Sequence, residues 1–303
     1  MVRELRERDV QCSIAQAASV IGDWWSLLIV REVTRGHRRF DDLLRELGIS
    51  RKILTERLKH LVEHGVLTRE QYQVGPVRHE YVLTATGWAL APTLISMQDW
   101  ADRWLLGDGA LSGVPNPQGT ETGRVHALLS TRVPEPLLLD AADLTPTSSF
   151  SGVSSSRRQL DVVADADATV LFAYPSTGLA ASLPPDWKQV PGAAGCTLEN
   201  RLFRDRLPEF AAAGAVVHGV STQRPDEQAA FAEAEAITFP LLSDVDLRLA
   251  VALRLPTFRA GQVMRLKRLI LVIDRSRTIR HVVFPVLDIP SAIAETLEAV
   301  QTL

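Results

Sequence analysis

The sequence predicts a multidomain chain with two folded units of different class. Residues 1–106 read as a mainly helical α+β unit and residues 161–303 as an α/β unit, with 107–160 as the connection between them. Three observations carry this. Apolar residues recur at helical spacing through most of the first hundred positions, then give way to two short runs around Gly75 and Pro76. Residues 107–123 are rich in Gly, Pro, Asn and Thr, and residues 145–156 in Ser and Thr, the composition of connections rather than cores. From Ala168 onward, continuous apolar runs alternate with helical ones. At 303 residues the chain is long enough for two separate cores.

In the first unit, residues 14–21 and 24–33 are apolar helical segments parted by Gly22 and Asp23, and Gly36 ends the second. Phe40, Leu43, Leu44 and Leu47 mark a short amphipathic helix, closed by Gly48 in the left-handed cap position. Ser50 can then cap a helix running to Glu63 and stopping before Gly65. Helix, short Gly-containing turn, helix is the helix-turn-helix pattern. The helix of residues 50–63 has an apolar face of Ile53, Leu54, Leu58, Leu61 and Val62, with Arg51, Lys52, Thr55, Glu56 and Lys59 opposite and Arg57 near the border. That exposed face is locally positive, as a major-groove reader requires. Residues 66–72 and 79–84 read as a hairpin, a β wing with Arg78 near its tip, and residues 85–104 as one closing helix.

The second unit is expected to place strands at 168–174 and 215–220, helices at 198–213 and 226–236, and a short helix at 247–253. A hairpin follows at 267–273 and 278–284, and a helix at 290–300 ends the chain. Buried strands with flanking helices and a terminal hairpin fit a thioredoxin-like sheet. Within 107–160, residues 125–139 are compatible with a short helix and a strand of unassigned unit. Cys196 stands at the start of the 198–213 helix. A thiol in a first helical turn meets free backbone N–H groups and the positive end of the helix dipole, which favour the nucleophilic thiolate.

Composition narrows the function. A net charge of −3 excludes a generally basic nucleic-acid binder but permits a local basic surface. There is no apolar run of 18 residues, and the charged start MVRELRERD precedes no signal-peptide core, so a cytoplasmic chain without membrane contact is expected. Two cysteines, Cys12 and Cys196, are too few for a disulfide framework or a Cys-rich zinc site, and no metal is expected. No Gly-rich phosphate loop follows a strand, so no cofactor is expected.

The first hundred residues resemble the HxlR-type branch of winged helix-turn-helix transcription regulators. The resemblance rests on Cys12 before the first helix, IGDWWSLLIVREV, RRFDDLLRELGISRKILTERLKHLVEHGVL and HEYVLTATG. It implies that residues 50–63 form the recognition helix, with Ser50, Arg51, Lys52, Thr55, Arg57, Lys59 and the wing's Arg78 toward a double-stranded operator. It also implies that the helix of residues 85–104 helps form a homodimer, which would read half-sites about one helical turn apart. Some regulators of this type use a cysteine at the place of Cys12 as a redox or electrophile sensor, and others carry it without that role.

From Ala168 to the end the chain resembles the peroxiredoxins, in particular the bacterioferritin-comigratory (PrxQ-like) type. VLFAYP, GCTLENRLFRDRLPEF, GVSTQ, FPLLSDVDLRLAVAL and KRLILVID carry it. Carried over, Cys196 is the thiol that attacks a peroxide, Arg268 holds it anionic and Glu199 orients Arg268. The family pattern departs at three places. The Thr expected just before the cysteine is missing, and a Pro-x-Thr at Pro175–Thr177 followed by an insertion would have to loop back to supply Thr177. The resolving cysteine expected five residues on is Arg201, so Cys196 would be recycled by an external thiol reductant, stay sulfenic, or bond to Cys12 or to a partner subunit. The insertion at 178–192 either alters access to the pocket or is a plain surface loop. Three functions remain open on these grounds. They are a regulator whose operator binding follows oxidation of Cys196, a thiol-dependent peroxidase with an autoregulatory DNA-binding half, and a degenerate peroxiredoxin fold used for dimerisation or effector binding.

Overall fold

The computed structural model describes residues 9–106, 113–142, 158–178, 187, 190–260 and 263–303. The chain forms two compact units, Met1–Leu94 and Ile95–Leu303.

In the first unit α1 (Ser13–Ile21) leads to α2 (Trp24–Thr34), where the Asp23 carboxylate accepts from the backbone N–H groups of Trp25 and Ser26, both at 3.0 Å. α3 (Phe40–Leu47) ends at Gly48, whose φ of 60° is the left-handed cap the sequence implies. α4 (Arg51–Glu63) starts at Ser50, whose hydroxyl accepts from Ile53 N–H at 3.3 Å. β1 (Leu67–Gln73) and β2 (Arg78–Leu83) pair antiparallel, with a bulge at Gln71–Gln73. Ile29, Val30, Val33, Leu43, Leu54, Leu58 and Leu61 build the core beneath them. At its edge Glu32, fully buried, receives Arg31, Arg35 and His37.

The expected single helix at 85–104 is two: α5 (Ala85–Trp88) and α6 (Ala91–Trp104). Pro92 supplies the reason, because it has no N–H and its ring clashes with the carbonyl four residues back, that of Trp88. No single helix among the described residues is long and apolar enough to cross a membrane. The apolar pair α1–α2 is bent by 74°, and Ile21, Ile29, Val30 and Val33 pack into the first core.

The second unit begins with α7 (Thr120–His126), β3 (Leu138–Ala141), β4 (Gln159–Asp161) and β5 (Ala168–Ala173). Then come α8 (Cys196–Asp205), α9 (Leu207–Ala212), β6 (Ala215–Ser221), α10 (Pro225–Glu235), β7 (Leu241–Ser243) and α11 (Arg248–Leu253). A hairpin of β8 (Thr257–Ala260) and β9 (Val263–Leu266) precedes β10 (Leu269–Asp274), β11 (Ile279–Val283) and α12 (Ile289–Gln301). The sheet order is β11-β10-β5-β6-β7-β3-β4, parallel from β5 to β7 and antiparallel at both flanks. This is a thioredoxin-like mixed sheet. The expected 198–213 helix breaks at Arg206, where Pro208 enters the first turn of α9. Phe172 and Phe203 stack at 4.2 Å in the core, with Phe210 and Phe239 around them.

The stretch 107–160, read from sequence as a connection, contributes its described residues to this second unit. β3 pairs with β7, and α7 is tied down by a buried ion pair in which Lys267 Nζ lies 2.8 Å from Glu121 Oε1. Arg277 clamps the same region from the hairpin side, with two bonds to the Asp161 carboxylate and one each to the carbonyls of Val133 and Pro134.

Candidate thiol site and candidate nucleic-acid interface

Cys196 is the first residue of α8 and is only 3% exposed. Gly195 before it has φ +100°, and a Cβ there would sit 2.8 Å from Ile289 Cδ1 and 3.6 Å from Arg268 Nη2. Glycine is therefore needed for the backbone turn, and an added Cβ would also displace the Ile289 methyl while leaving Arg268 at ordinary contact distance. Gly195→Ala is expected to lower stability by about 1–3 kcal/mol, read as a fall in thermal midpoint; an unchanged midpoint would show that the turn relaxes.

The sulfur is surrounded by polar groups. Its S–H donates to Ala193 O at 3.4 Å, and Ser176 N–H points at it from the end of β5. Arg268 Nη2 lies 3.5 Å from Sγ and donates to Ala194 O at 3.0 Å, while Nη1 pairs with the buried Glu199 carboxylate. Asn200 donates to the Cys196 carbonyl. Arg268 thus contacts both the sulfur and the carboxylate, so the geometry unites Cys196, Arg268 and Glu199.

Burial pushes the Cys196 thiol up, and the Glu199 charge adds to this, against the pull of Arg268 and Ser176 N–H. The direction differs from the one expected at a helix start, because in a closed pocket the lost hydration of the thiolate outweighs the helix dipole. Glu199 is likewise raised by burial to about 7 despite Arg268. Arg268 stays protonated, since Glu199 and Cys196 together outweigh the cost of its burial.

Thr177 is buried in the same unit. Its N–H and hydroxyl both donate to Gln223 Oε1, at 2.7 and 3.1 Å, and its carbonyl accepts from Gln223 Nε2 at 2.8 Å. Its chain neighbour Ser176 has its N–H toward the sulfur, whereas the Thr177 hydroxyl is bonded to Gln223 rather than to the thiol. Sequence reasoning missed the buried polar residues behind it: Tyr174, Ser221, Gln223 and Gln228. GVSTQ was the available signal, since it ends in a glutamine where a strand meets a helix. Of the insertion, Trp187 is buried against Ala193 and Phe258, while Pro184, Pro185 and Asp186 lie outside the described residues. Arg201 is exposed and paired with Glu235. Both cysteines are free thiols, Cys12 exposed at the start of α1 and Cys196 buried.

On α4, Arg51, Lys52, Thr55 and Lys59 are exposed. Arg51 pairs with Asp41 at 3.2 Å and Lys59 with Glu63 at 3.6 Å, so neither is buried by its partner. Ser50 is occupied as the helix cap, and Arg78 opens β2 opposite Gln73, exposed. Arg57 departs from its border assignment. Lying between Leu54 and Leu58 on the helix, it turns inward to 9% exposure, with Nε 3.4 Å from Asp23 Oδ1.

Residues 20–108 match the HxlR-like helix-turn-helix family and residues 190–282 the AhpC/TSA family. An uncharacterised HTH-type transcriptional regulator of Mycobacterium tuberculosis is 39% identical over 118 residues, covering 39% of this chain and 69% of the relative. The HTH-type transcriptional regulator YodB of Bacillus subtilis is 36% identical over 89 residues, 29% of this chain and 80% of that protein. Among solved structures, peroxidoxin BcpB from Mycobacterium tuberculosis shares 26% identity with a TM-score of 0.42, over 55% of this chain and 94% of that one. A Xanthomonas campestris peroxiredoxin Q structure shares 24% identity with a TM-score of 0.41, over 55% of this chain and 90% of that one.

Proposed function

Because the chain belongs to the HxlR-like family of helix-turn-helix regulators and carries an AhpC/TSA-family domain behind it, we propose that it is a DNA-binding transcription regulator whose operator affinity is set by oxidation of Cys196. The observation that carries this reading is the placement of Arg268, 3.5 Å from the sulfur and paired with Glu199 on its other side. In the reaction the Cys196 thiolate attacks one oxygen of a hydroperoxide and the O–O bond breaks. Sulfur is oxidised by two electrons to sulfenic acid, and the other oxygen leaves as water or alcohol after taking a proton. Arg268 offsets the charge on the thiolate and on the leaving oxygen. Arg201 stands where a resolving thiol is expected, so the resolving thiol comes from outside the second unit, either an external reductant or Cys12. Met97, Trp100 and Trp104 are 47%, 56% and 65% exposed along α6, which supports a homodimer reading a two-fold operator.

The test is the affinity of the full chain for its operator before and after one equivalent of hydrogen peroxide, with mass spectrometry assigning the oxidised residue. Oxidation at Cys196 with a changed affinity is expected. Full oxidation of Cys196 with unchanged affinity would sink the reading, and sustained peroxide consumption with a small thiol would favour a working peroxidase instead.

Lys52 and Lys59 give the DNA half its own test. Each replaced by Ala is expected to weaken operator binding and to reduce the slope of log affinity against log salt by about 0.9, since each lost phosphate contact no longer releases a counterion. A slope unmoved by both changes places DNA on another surface.

A further inference from the structure

We propose that Gln223 is a positioning residue for the thiol chemistry, holding the Ser176–Thr177 backbone against Cys196. The inference deepens the reading of Cys196 as a peroxide-reactive thiol and rests on it.

Gln223 lies just beyond β6, and its side chain is buried among polar partners. Its amide meets Thr177 as a strand neighbour would. Oε1 accepts from Thr177 N–H at 2.7 Å while Nε2 donates to Thr177 O at 2.8 Å, and the Thr177 hydroxyl adds a third bond at 3.1 Å. The glutamine is itself fixed from behind. Its N–H donates to Ser221 Oγ at 3.3 Å, the Ser221 hydroxyl reaches its Oε1 at 3.4 Å, and its carbonyl accepts from the Ser243 hydroxyl at 2.6 Å. One side chain therefore satisfies every hydrogen-bonding group of Thr177 while being anchored to β6 and β7.

The insertion explains the need. Thr177 and Cys196 are separated by a long stretch of chain, so nothing local ties the β5 end to the first turn of α8. Yet Ser176 N–H must face the sulfur, and Thr177 follows it directly. The bonds to Thr177 N–H and Thr177 O fix the two peptide groups on either side of Thr177, the first of which follows Ser176 directly, and so restrict the backbone that carries Ser176 N–H. Without Gln223 the Thr177 donor and acceptor would be buried and unpaired, and the segment would shift to find other partners.

The experiment uses the full chain with Cys12→Ser, so that only Cys196 reports. Gln223→Met keeps the volume and loses all bonds. Gln223→Glu keeps an acceptor for Thr177 N–H, and Thr177→Val removes only the hydroxyl. Two quantities are read, the single-turnover rate of sulfenic acid formation with hydrogen peroxide and the pH midpoint of the thiolate absorbance near 240 nm, with thermal midpoint as the folding control. Gln223→Met is expected to slow oxidation roughly 10- to 100-fold and to move the thiolate midpoint upward. Gln223→Glu is expected to fall between it and the wild type, and Thr177→Val to leave the midpoint in place.

Wild-type rate and midpoint in Gln223→Met overturn the proposal, and so does a lowered thermal midpoint with both unchanged, which marks a purely structural residue. Should Gln223→Met not fold, Gln223→Glu decides on the same terms. A wild-type chain that forms no sulfenic acid defeats the peroxide reading, which is a different result. The thiolate midpoint then still judges Gln223.

Discussion

Replacing Arg268 by Met is expected to slow the reaction of Cys196 with hydrogen peroxide by about 100- to 1000-fold. Met is of similar length and packs in the same space, so the change removes charge and donors rather than volume. Three things are lost together: the contact to Sγ, the bond to Ala194 O and the partner of Glu199. Burial already pushes the thiol up, and Arg268 is the strongest group working against it. Glu199, raised to about 7 even with Arg268 present, is left without its cation and takes up a proton. Arg268→Lys keeps the charge but not the two-armed fork, and should fall between. Stopped-flow oxidation in a Cys12→Ser background measures this, and the peroxide concentration that alters operator affinity should rise in step. Rates within threefold of wild type would remove Arg268 from the chemistry.

Glu32→Gln is expected to cost the first unit about 3 kcal/mol at neutral pH. The carboxylate is buried within hydrogen-bonding distance of Arg31, Arg35 and His37. Burial opposes its charge, yet His37, Arg35 and Arg31 together hold it at about 2, down from 4.5. The sign follows from linkage. Because the folded carboxyl binds its proton less readily than the unfolded one, its stabilisation is fully present above pH 4.5 and is lost as pH falls from 4.5 toward 2. Gln cannot carry that charge, so the variant should lose stability at pH 7 and show a flatter acid limb. Hydrogen exchange of peptides from residues 13–88, at pH 7 and pH 3, separates this from the second unit. Equal loss at both values would show that packing rather than charge is responsible.

Much of the first unit was legible because its signals are local. Gly48 and Ser50 terminate and start helices by backbone geometry and a single side-chain bond, and neither depends on distant contacts. The break before α6 was legible in principle from Pro92, but apolar spacing ran through it and masked it. In the second unit β5, β6 and β10 are continuous apolar runs and announce themselves. β3 and β4 do not, being three or four residues long and placed by pairing with β7 and by Arg277 rather than by periodicity. At the thiol, Cys196, Glu199 and Arg268 lie in motifs whose spacing can be read. Gln223 also lies in a readable motif, GVSTQ, but its role cannot be read there, since its partner Thr177 is 46 residues distant in sequence and is met only after folding. Arg57 shows the opposite failure, a charge placed by pattern on a border and drawn inward by Asp23.

If oxidation of Cys196 is the signal, as proposed, then Arg201, in the place where a neighbouring thiol would be expected, bears on its duration rather than on affinity. With Cys196 3% exposed and no other cysteine in that unit, an oxidised Cys196 would, on that reading, persist until a thiol from outside the unit reaches it. Decay of the signal is then first order in the concentration of that thiol, while its onset is first order in peroxide. The fraction of oxidised chains at any moment is a running sum of recent exposure, weighted by how long each oxidised site lasts. Two brief pulses that fall within one lifetime leave the same record as a single pulse of their combined dose. A second cysteine close to Cys196 would erase that record as it formed.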